Sequence, residues 1–201
     1  VYAYDIQQKR HVVLHHSECG FAYRSSYFKN KWKDRYIITA IVLRLSNSGH
    51  HKIHTHYGAI QSKLNENKID KPSIQDVSRA VIAIRRDKLP DPKLLPNAGS
   101  FFKNPVVSSQ KMEELKESFP DIVYYPHEGM FKLAAAWLID QAGWRGYRNE
   151  KAVGTHKNQA LVIVNEGHAH GSDIYALAKE IMTSVASKFG IQLEPEVNIW
   201  N

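Results

Sequence analysis

A chain of 201 residues, 43% apolar and 23% charged, is long enough for one ordinary domain or two small ones around a hydrophobic core. No uninterrupted apolar stretch approaches the roughly 18 residues a membrane-spanning helix needs, the candidate considered being residues 37–43, so a bilayer span is excluded. Twenty-seven Lys and Arg against 20 Asp and Glu give +7, a field that attracts nucleic acid, acidic head groups or a phosphorylated metabolite without choosing among them. The single cysteine, Cys19, excludes an internal disulfide and fits a reducing compartment. The first residues carry neither an initiator Met nor the basic and apolar regions of a secretory leader, which suggests a fragment.

In chain order, residues 1–6 and 11–14 are strand-like runs around the polar turn 7–10 and predict a hairpin. Residues 36–45 are rich in Ile, Val, Thr and Leu without a helical period, predicting a strand buried on both faces or nearly so. Ser73 then precedes Ile74, Val77, Ala80, Val81 and Ile84, a stripe at three- and four-residue spacing with Asp76 in its first turn, which predicts a capped helix. The prolines at 90, 92 and 96 end it and predict a linker. Beyond them, residues 109–119, 133–142 and 172–189 have helical spacing, the last with Ser172 placed to cap and Asp173 placed to complement the helix dipole. Residues 160–164 predict a short buried strand, and the β-branched content of 191–199 predicts a final one. The resulting class is α+β: antiparallel strands with one helix, then helices on a small sheet.

No glycine pattern forms a dinucleotide or P-loop cradle, so any phosphate must be held by side chains or helix ends. The histidines at 50, 51, 54 and 56 lack a nearby Cys or paired carboxylate and read as an exposed loop rather than a metal site, as do His168 and His170. Cys19 beside Glu18, His15 and His16 reads as a structural cysteine. Residues 97–105, NAGSFFKNP, set small residues beside a hydroxyl, two aromatics, a cation and an amide. They allow close backbone approach to a ligand, while the plainer reading makes the two Phe residues core. Arg24 and Glu196 each stand amid apolar residues, which would leave them partly desolvated and in need of a partner or ligand.

Five ordered segments, FAYRSSYFK (21–29), KLPDPKLLPNAGSFFKNPVVS (88–108), KLAAAWLIDQAGWRG (132–146), AVGTHKNQALVIVN (152–165) and LEPEV (193–197), resemble one family. It is UDP-N-acetylenolpyruvoylglucosamine reductase, also called UDP-N-acetylmuramate dehydrogenase. The resemblance implies an antiparallel-strand part of an FAD-binding domain at 1–86, a small α+β substrate-binding domain at 87–190 and a return strand at 191–201, with most FAD contacts supplied from upstream of Val1. It implies FAD and NADPH as cofactors and a UDP-sugar as substrate. It also implies a cytoplasmic, monomeric enzyme of peptidoglycan synthesis that engages neither nucleic acid nor membrane.

The implied chemistry passes reducing equivalents from NADPH through FAD to the enolpyruvyl double bond, giving UDP-N-acetylmuramate. Hydride arriving at the methylene carbon pushes electron density toward the adjacent carboxylate, and preorganised groups aimed there lower the barrier. By resemblance Arg24 and Glu196 serve that carboxylate and Ser100 supplies the proton. Tyr57, Asn104, Tyr125, Lys132, Arg145 and Gln159 match contacts to the UDP-sugar, Lys88 lies near a place shared with the nicotinamide cofactor, and Tyr57 matches a tyrosine that closes over bound substrate. The competing reading is a basic α+β module that stacks single-stranded nucleic acid on its aromatics, although no arginine-rich stripe or nucleic-acid motif is present.

Overall fold

The computed structural model describes every residue except Ser48, His51, Tyr57, His168, Trp200 and Asn201. The chain divides into two compact units, Val1–Lys52 and Ile53–Asn201. Among the described residues no helix is long and apolar enough to cross a membrane.

The first unit is a three-stranded antiparallel sheet of β1 (Tyr2–Asp5), β2 (Arg10–Val13) and β3 (Tyr36–Ala40), in the order β2-β1-β3. The hairpin expected at the start is present, with Tyr2 opposite Val13 and Asp5 opposite Arg10. Buried Asp5 organises its turn, accepting hydrogen bonds from the Gln7 and Gln8 amides, each 3.0 Å long. Its Oδ2 also accepts from Arg35 Nη2 at 2.8 Å and Nε at 3.1 Å, which ties β1 to the entry of β3. Between β2 and β3, Phe28, Trp32 and Tyr36 pack edge to face.

Burial of residues 36–45 on both faces is not found. The strand ends at Ala40, and Ile37, Ile38 and the following Ile41, Val42 and Leu43 are all exposed within their unit. The cause is topological: among the described residues β3 pairs with β1 alone, at the edge of its sheet. The apolar run reports a composition suited to burial, not burial itself.

The second unit opens on a helical hairpin, α1 (Ile60–Glu66) and α2 (Ile74–Lys88), packed through Ile60, Leu64 and Ala80. The start signal of α2 is realised. The Asp76 amide donates to Ser73 Oγ and Asp76 Oδ2 accepts from the Ser73 amide at 2.8 Å, a reciprocal capping box.

Two further antiparallel sheets follow. One runs β4-β9-β8, from β4 (Asn97–Ser100), β8 (Val153–His156) and β9 (Gln159–Asn165). The other runs β5-β7-β6, from β5 (Val106–Val107), β6 (Tyr124–His127) and β7 (Met130–Leu133). Helices α3 (Ser109–Ser118), α4 (Ala135–Gln141) and α5 (Gly171–Phe189) close a core that includes Phe101, Phe102, Leu133, Leu138, Ile163 and Ile181. The apolar face foreseen for α5 is the buried one, with Leu177, Ala178, Ile181, Val185 and Phe189 inside. Its cap differs from expectation. Ser172 lies within the helix and His170 is the capping residue, because the Asp173 carboxylate accepts from the His170 amide at 3.0 Å.

Gly154 is fixed by packing: a Cβ there would lie 1.8 Å from the Tyr147 carbonyl oxygen. That carbonyl accepts from the Thr155 amide and from Arg148 Nη1, and Arg148 also pairs with Glu166. Burial and the positive charge of Arg148 hold the neighbouring His156 below the usual imidazole range.

Candidate functional site

The plainer reading of segment 97–105 holds for its two aromatics. Phe101 and Phe102 are core residues, while Ser100, immediately before them, is exposed. The exposure follows from a register shift between Asn97 and Ser100, where Gly99 takes φ +72°, a conformation that favours glycine. Ser100 pairs with Val162 of β9, which anchors its backbone to the sheet.

Residues 191–199 do not form the final strand expected. They contribute a single bridge, Phe102 opposite Pro195, flanked by hydrogen bonds from the Lys103 amide to the Glu194 carbonyl (2.9 Å) and from the Glu196 amide to the Phe101 carbonyl (2.8 Å). Pro195 has no amide to continue a ladder, and it occupies the position in this pairing where no donor is needed. The short pairing holds the backbone of half-buried Glu196 against Phe101, the residue that follows Ser100. An ion pair from Lys103 to Glu194 closes the outer end of the same pairing.

Arg24 belongs to the first unit. It sits in a tight turn closed by reciprocal hydrogen bonds between Ala22 and Ser25, with φ +54°, unusual for a residue carrying a side chain. Its guanidinium lies 5.9 Å from the Tyr23 ring centroid. The desolvation expected for Arg24 is not found within its unit, where the turn is exposed: Phe21 and Tyr23 are exposed beside it instead of folding over it.

The β5-β7-β6 sheet assembles a second group. Tyr125 and Lys132 are direct cross-strand partners on one face, 7 residues apart in sequence through the turn at Glu128 and Gly129. Asn104, just ahead of β5, turns its Oδ1 to the Ala135 amide at 3.0 Å and thereby supplies the acceptor that the start of α4 lacks at Ala134. Arg145, after α4, pairs with Asp140 at 2.8 Å. Gln159 opens β9 opposite His156, with its Oε1 turned to the Leu161 amide at 3.4 Å. Lys88 ends α2 and is exposed. Tyr57 lies outside the described residues, as do His51 and His168 of the histidine groups.

Tyr125 and Lys132 are therefore brought together across their strands, while the Glu196 backbone is brought to Phe101, next in sequence to Ser100. Not foreseen were Arg85 and Arg86 in the last turn of α2, which line a cleft with Ala98 and Gly99. The signal available for them was two consecutive guanidiniums three residues before the KLPDP segment.

The architecture, antiparallel sheets with helices on small three-stranded layers, is that of a known reductase fold. Over the whole of this chain and 52% of its own, the crystal structure of UDP-N-acetylenolpyruvylglucosamine reductase from Thermus caldophilus superposes with a TM-score of 0.57 at 21% identity. The family model described as UDP-N-acetylenolpyruvoylglucosamine reductase, C-terminal domain, matches residues 91–200. Proteins named UDP-N-acetylenolpyruvoylglucosamine reductase are similar along most of the chain. That of Flavobacterium johnsoniae is 46% identical over 98% of this chain and 58% of its own length. That of Pseudomonas aeruginosa is 49% identical over 90% and 53%, and that of Chromobacterium violaceum 50% over 92% and 54%. The chain belongs to the UDP-N-acetylenolpyruvoylglucosamine reductase family, and it spans somewhat more than half the length of these relatives.

Proposed function

We propose that this chain forms the substrate-side part of an enzyme that reduces UDP-N-acetylenolpyruvoylglucosamine to UDP-N-acetylmuramate for peptidoglycan synthesis, with FAD and NADPH as cofactors, in the cytoplasm. The observation that supports the reading is the backbone pairing of segment 101–103 with 194–196, which brings the chain at Glu196 to Phe101, the residue after Ser100. Nothing in the structure or the comparisons favours the nucleic-acid alternative.

When bound, the reduced flavin supplies hydride to the methylene carbon of the enolpyruvyl group. The residues of this chain handle the charge that follows. Electron density moves onto the substrate carboxylate, where the Arg24 guanidinium offers a planar pair of donors and Glu196 a proton-sharing partner. The Ser100 hydroxyl then gives its proton to the carbon bearing that carboxylate and is reprotonated from solvent, so that one hydride and one proton are added across the double bond. A hydroxyl is a weak acid and can act here only because its acceptor is a strongly basic carbon centre. Lys132 and Tyr125 meet the diphosphate from one face of their sheet, with Arg145, Asn104 and Gln159 along the sugar nucleotide, Lys88 near the nicotinamide and Tyr57 closing over the substrate. The FAD-binding role of residues 1–86, the substrate-binding role of 87–190 and a monomeric state belong to the same proposal.

The fit of this chain to the UDP-sugar's diphosphate rests on Lys132, a cation that stands directly across from Tyr125. Titration of UDP-N-acetylenolpyruvoylglucosamine into the chain tests the reading. Saturable binding that weakens at least about tenfold in Lys132→Ala supports it, since a charge-assisted hydrogen bond is of that order. Absence of binding by the wild-type chain overturns it.

A further inference from the structure

Between the end of α2 and the start of β4 lies a cleft of about 680 Å³, within the range of cavities that hold nucleotide-sized ligands. Asn97 ties its walls together: Nδ2 donates to the Pro90 carbonyl at 3.3 Å and the Leu95 carbonyl at 2.8 Å, and Oδ1 accepts from the Gly99 amide at 2.9 Å. Into this braced cleft face Arg85 and Arg86. Among the described residues neither guanidinium has a hydrogen-bond or ion-pair partner, unlike Arg79 one to two turns earlier, which pairs with Asp76 at 2.7 Å. Two arginines in a last helical turn are partly explained by the helix dipole. That effect does not require them to line a cavity opposite a glycine.

Gly99 adds the second half of the argument. Its φ of +72° favours glycine, yet a Cβ placed on it would meet nothing within 4 Å, so the space above its Cα is open. A ligand can approach the backbone closely there, immediately before Ser100. The one acidic residue on the cleft, Asp91, turns its Oδ1 to the Lys93 amide at 2.9 Å. Two guanidiniums against one carboxylate leave the cleft positive.

We propose that this cleft is a diphosphate subsite, separate from the Tyr125–Lys132 sheet, that takes the diphosphate of a dinucleotide. Paired guanidinium forks match the tetrahedral oxyanions of a diphosphate, and the open backbone at Gly99 admits the adjoining ribose or ring toward Ser100. The inference rests on the proposed function, which already assigns the sugar nucleotide's diphosphate elsewhere, and it adds a second diphosphate position on this chain. FAD and NADPH share the chemistry and are distinguished by experiment.

The test is calorimetric titration of inorganic pyrophosphate, FAD, NADPH and UDP into the wild-type chain and into Arg85→Gln/Arg86→Gln. Both side chains are exposed, so the variant is expected to fold with an unchanged circular dichroism spectrum. The expected result is that pyrophosphate and one dinucleotide bind the wild type and compete, that the double variant weakens both at least tenfold, and that UDP stays within twofold. Competition with FAD assigns the site to the flavin, and competition with NADPH assigns it to the nicotinamide cofactor. Pyrophosphate affinity within twofold of wild type in the variant, or a parallel loss of UDP binding, overturns the subsite. Failure of the wild type to bind the UDP-sugar while pyrophosphate binding still depends on the two arginines would instead overturn the proposed function and leave the anion subsite standing.

Discussion

The Glu196 amide donates a 2.8 Å hydrogen bond to the carbonyl of Phe101, the residue that follows Ser100. Because Phe101 is core and its own amide donates to the Leu161 carbonyl at 2.8 Å, the position of Glu196 is referred to the central β4-β9-β8 sheet. Ser100 is referred to the same sheet through Val162. The backbones at Ser100 and Glu196 thus share one reference in the β4-β9-β8 sheet.

Lys103 and Glu194 clamp the outer end of this pairing with both a backbone hydrogen bond and an ion pair. Glu194 is largely exposed, so removing the charge with Lys103→Met is expected to cost at most about 1 kcal/mol of global stability. The local effect is larger. Amide exchange at Glu196 should quicken a few-fold, on the scale of a lost surface ion pair, while amides of α5 keep wild-type protection. Equal changes at Glu196 and in α5 would mean that the pair stabilises the unit as a whole and positions nothing.

Ser100→Ala is expected to leave binding of the UDP-sugar within about twofold, because one exposed hydroxyl contributes little to it, and to lower turnover of the flavin-loaded enzyme about 100-fold or more, the usual worth of a positioned acid. Rapid-mixing measurements should find the first half-reaction, oxidation of NADPH, unaffected. Turnover within tenfold of wild type would remove Ser100 from the proton-donor role.

What the sequence disclosed divides along physical lines. Periodicity located α2, α3 and α5, because an amphipathic face is a local pattern that burial then reads out. The predicted helix over 133–142 shortened to Ala135–Gln141, since Leu133 is taken by pairing with Tyr124 in the β5-β7-β6 sheet. Short-range chemistry was legible at Ser73 and Asp76 but misplaced at α5, where Asp173 selects the residue three before it rather than Ser172. Long-range pairing was not legible from pattern. Nothing in residues 191–199 announces a single bridge instead of a strand, and nothing in residue 5 or residue 35 announces their ion pair. Resemblance named the candidate residues, and the fold set one pair of them, Tyr125 and Lys132, across from each other.

The Asp5–Arg35 pair predicts acid sensitivity of the first unit. Hydrogen bonds from the Arg35 guanidinium, aided by those from the Gln8 and Gln7 amides, outweigh burial and lower the Asp5 carboxyl to about 2. An unfolded aspartate titrates near 3.9, so between about 4 and 2 the unfolded state binds more protons than the folded one. The pair's contribution is therefore complete above pH about 4 and is lost as the pH falls toward 2. Acid unfolding followed by tryptophan fluorescence, with Trp32 the tryptophan of this unit, should show the contribution, and Asp5→Asn should flatten the dependence in that window. An identical acid profile for the variant would show that the pair does not couple protonation to folding.

Gly154 and Gly143 separate two reasons for glycine. Gly143 has φ +87° and open space where a Cβ would stand, so Gly143→Ala is expected to cost about 1–2 kcal/mol, the strain of the left-handed region alone. Gly154 has an ordinary φ, but its Cβ would overlap the Tyr147 carbonyl at 1.8 Å and the Arg148 side chain at 2.7 Å. Relief requires the chain at 147–148 to move, and with it the hydrogen bonds from the Thr155 amide to Tyr147 and from Arg148 Nη1 to the Thr155 carbonyl. Overpacking of this kind costs about 3 kcal/mol or more when backbone is the obstacle. Urea denaturation of the two variants should rank Gly154→Ala clearly below Gly143→Ala in stability, and the opposite order would mean that the Tyr147–Thr155 contact gives way easily and does not brace the β8–β9 hairpin that carries Gln159.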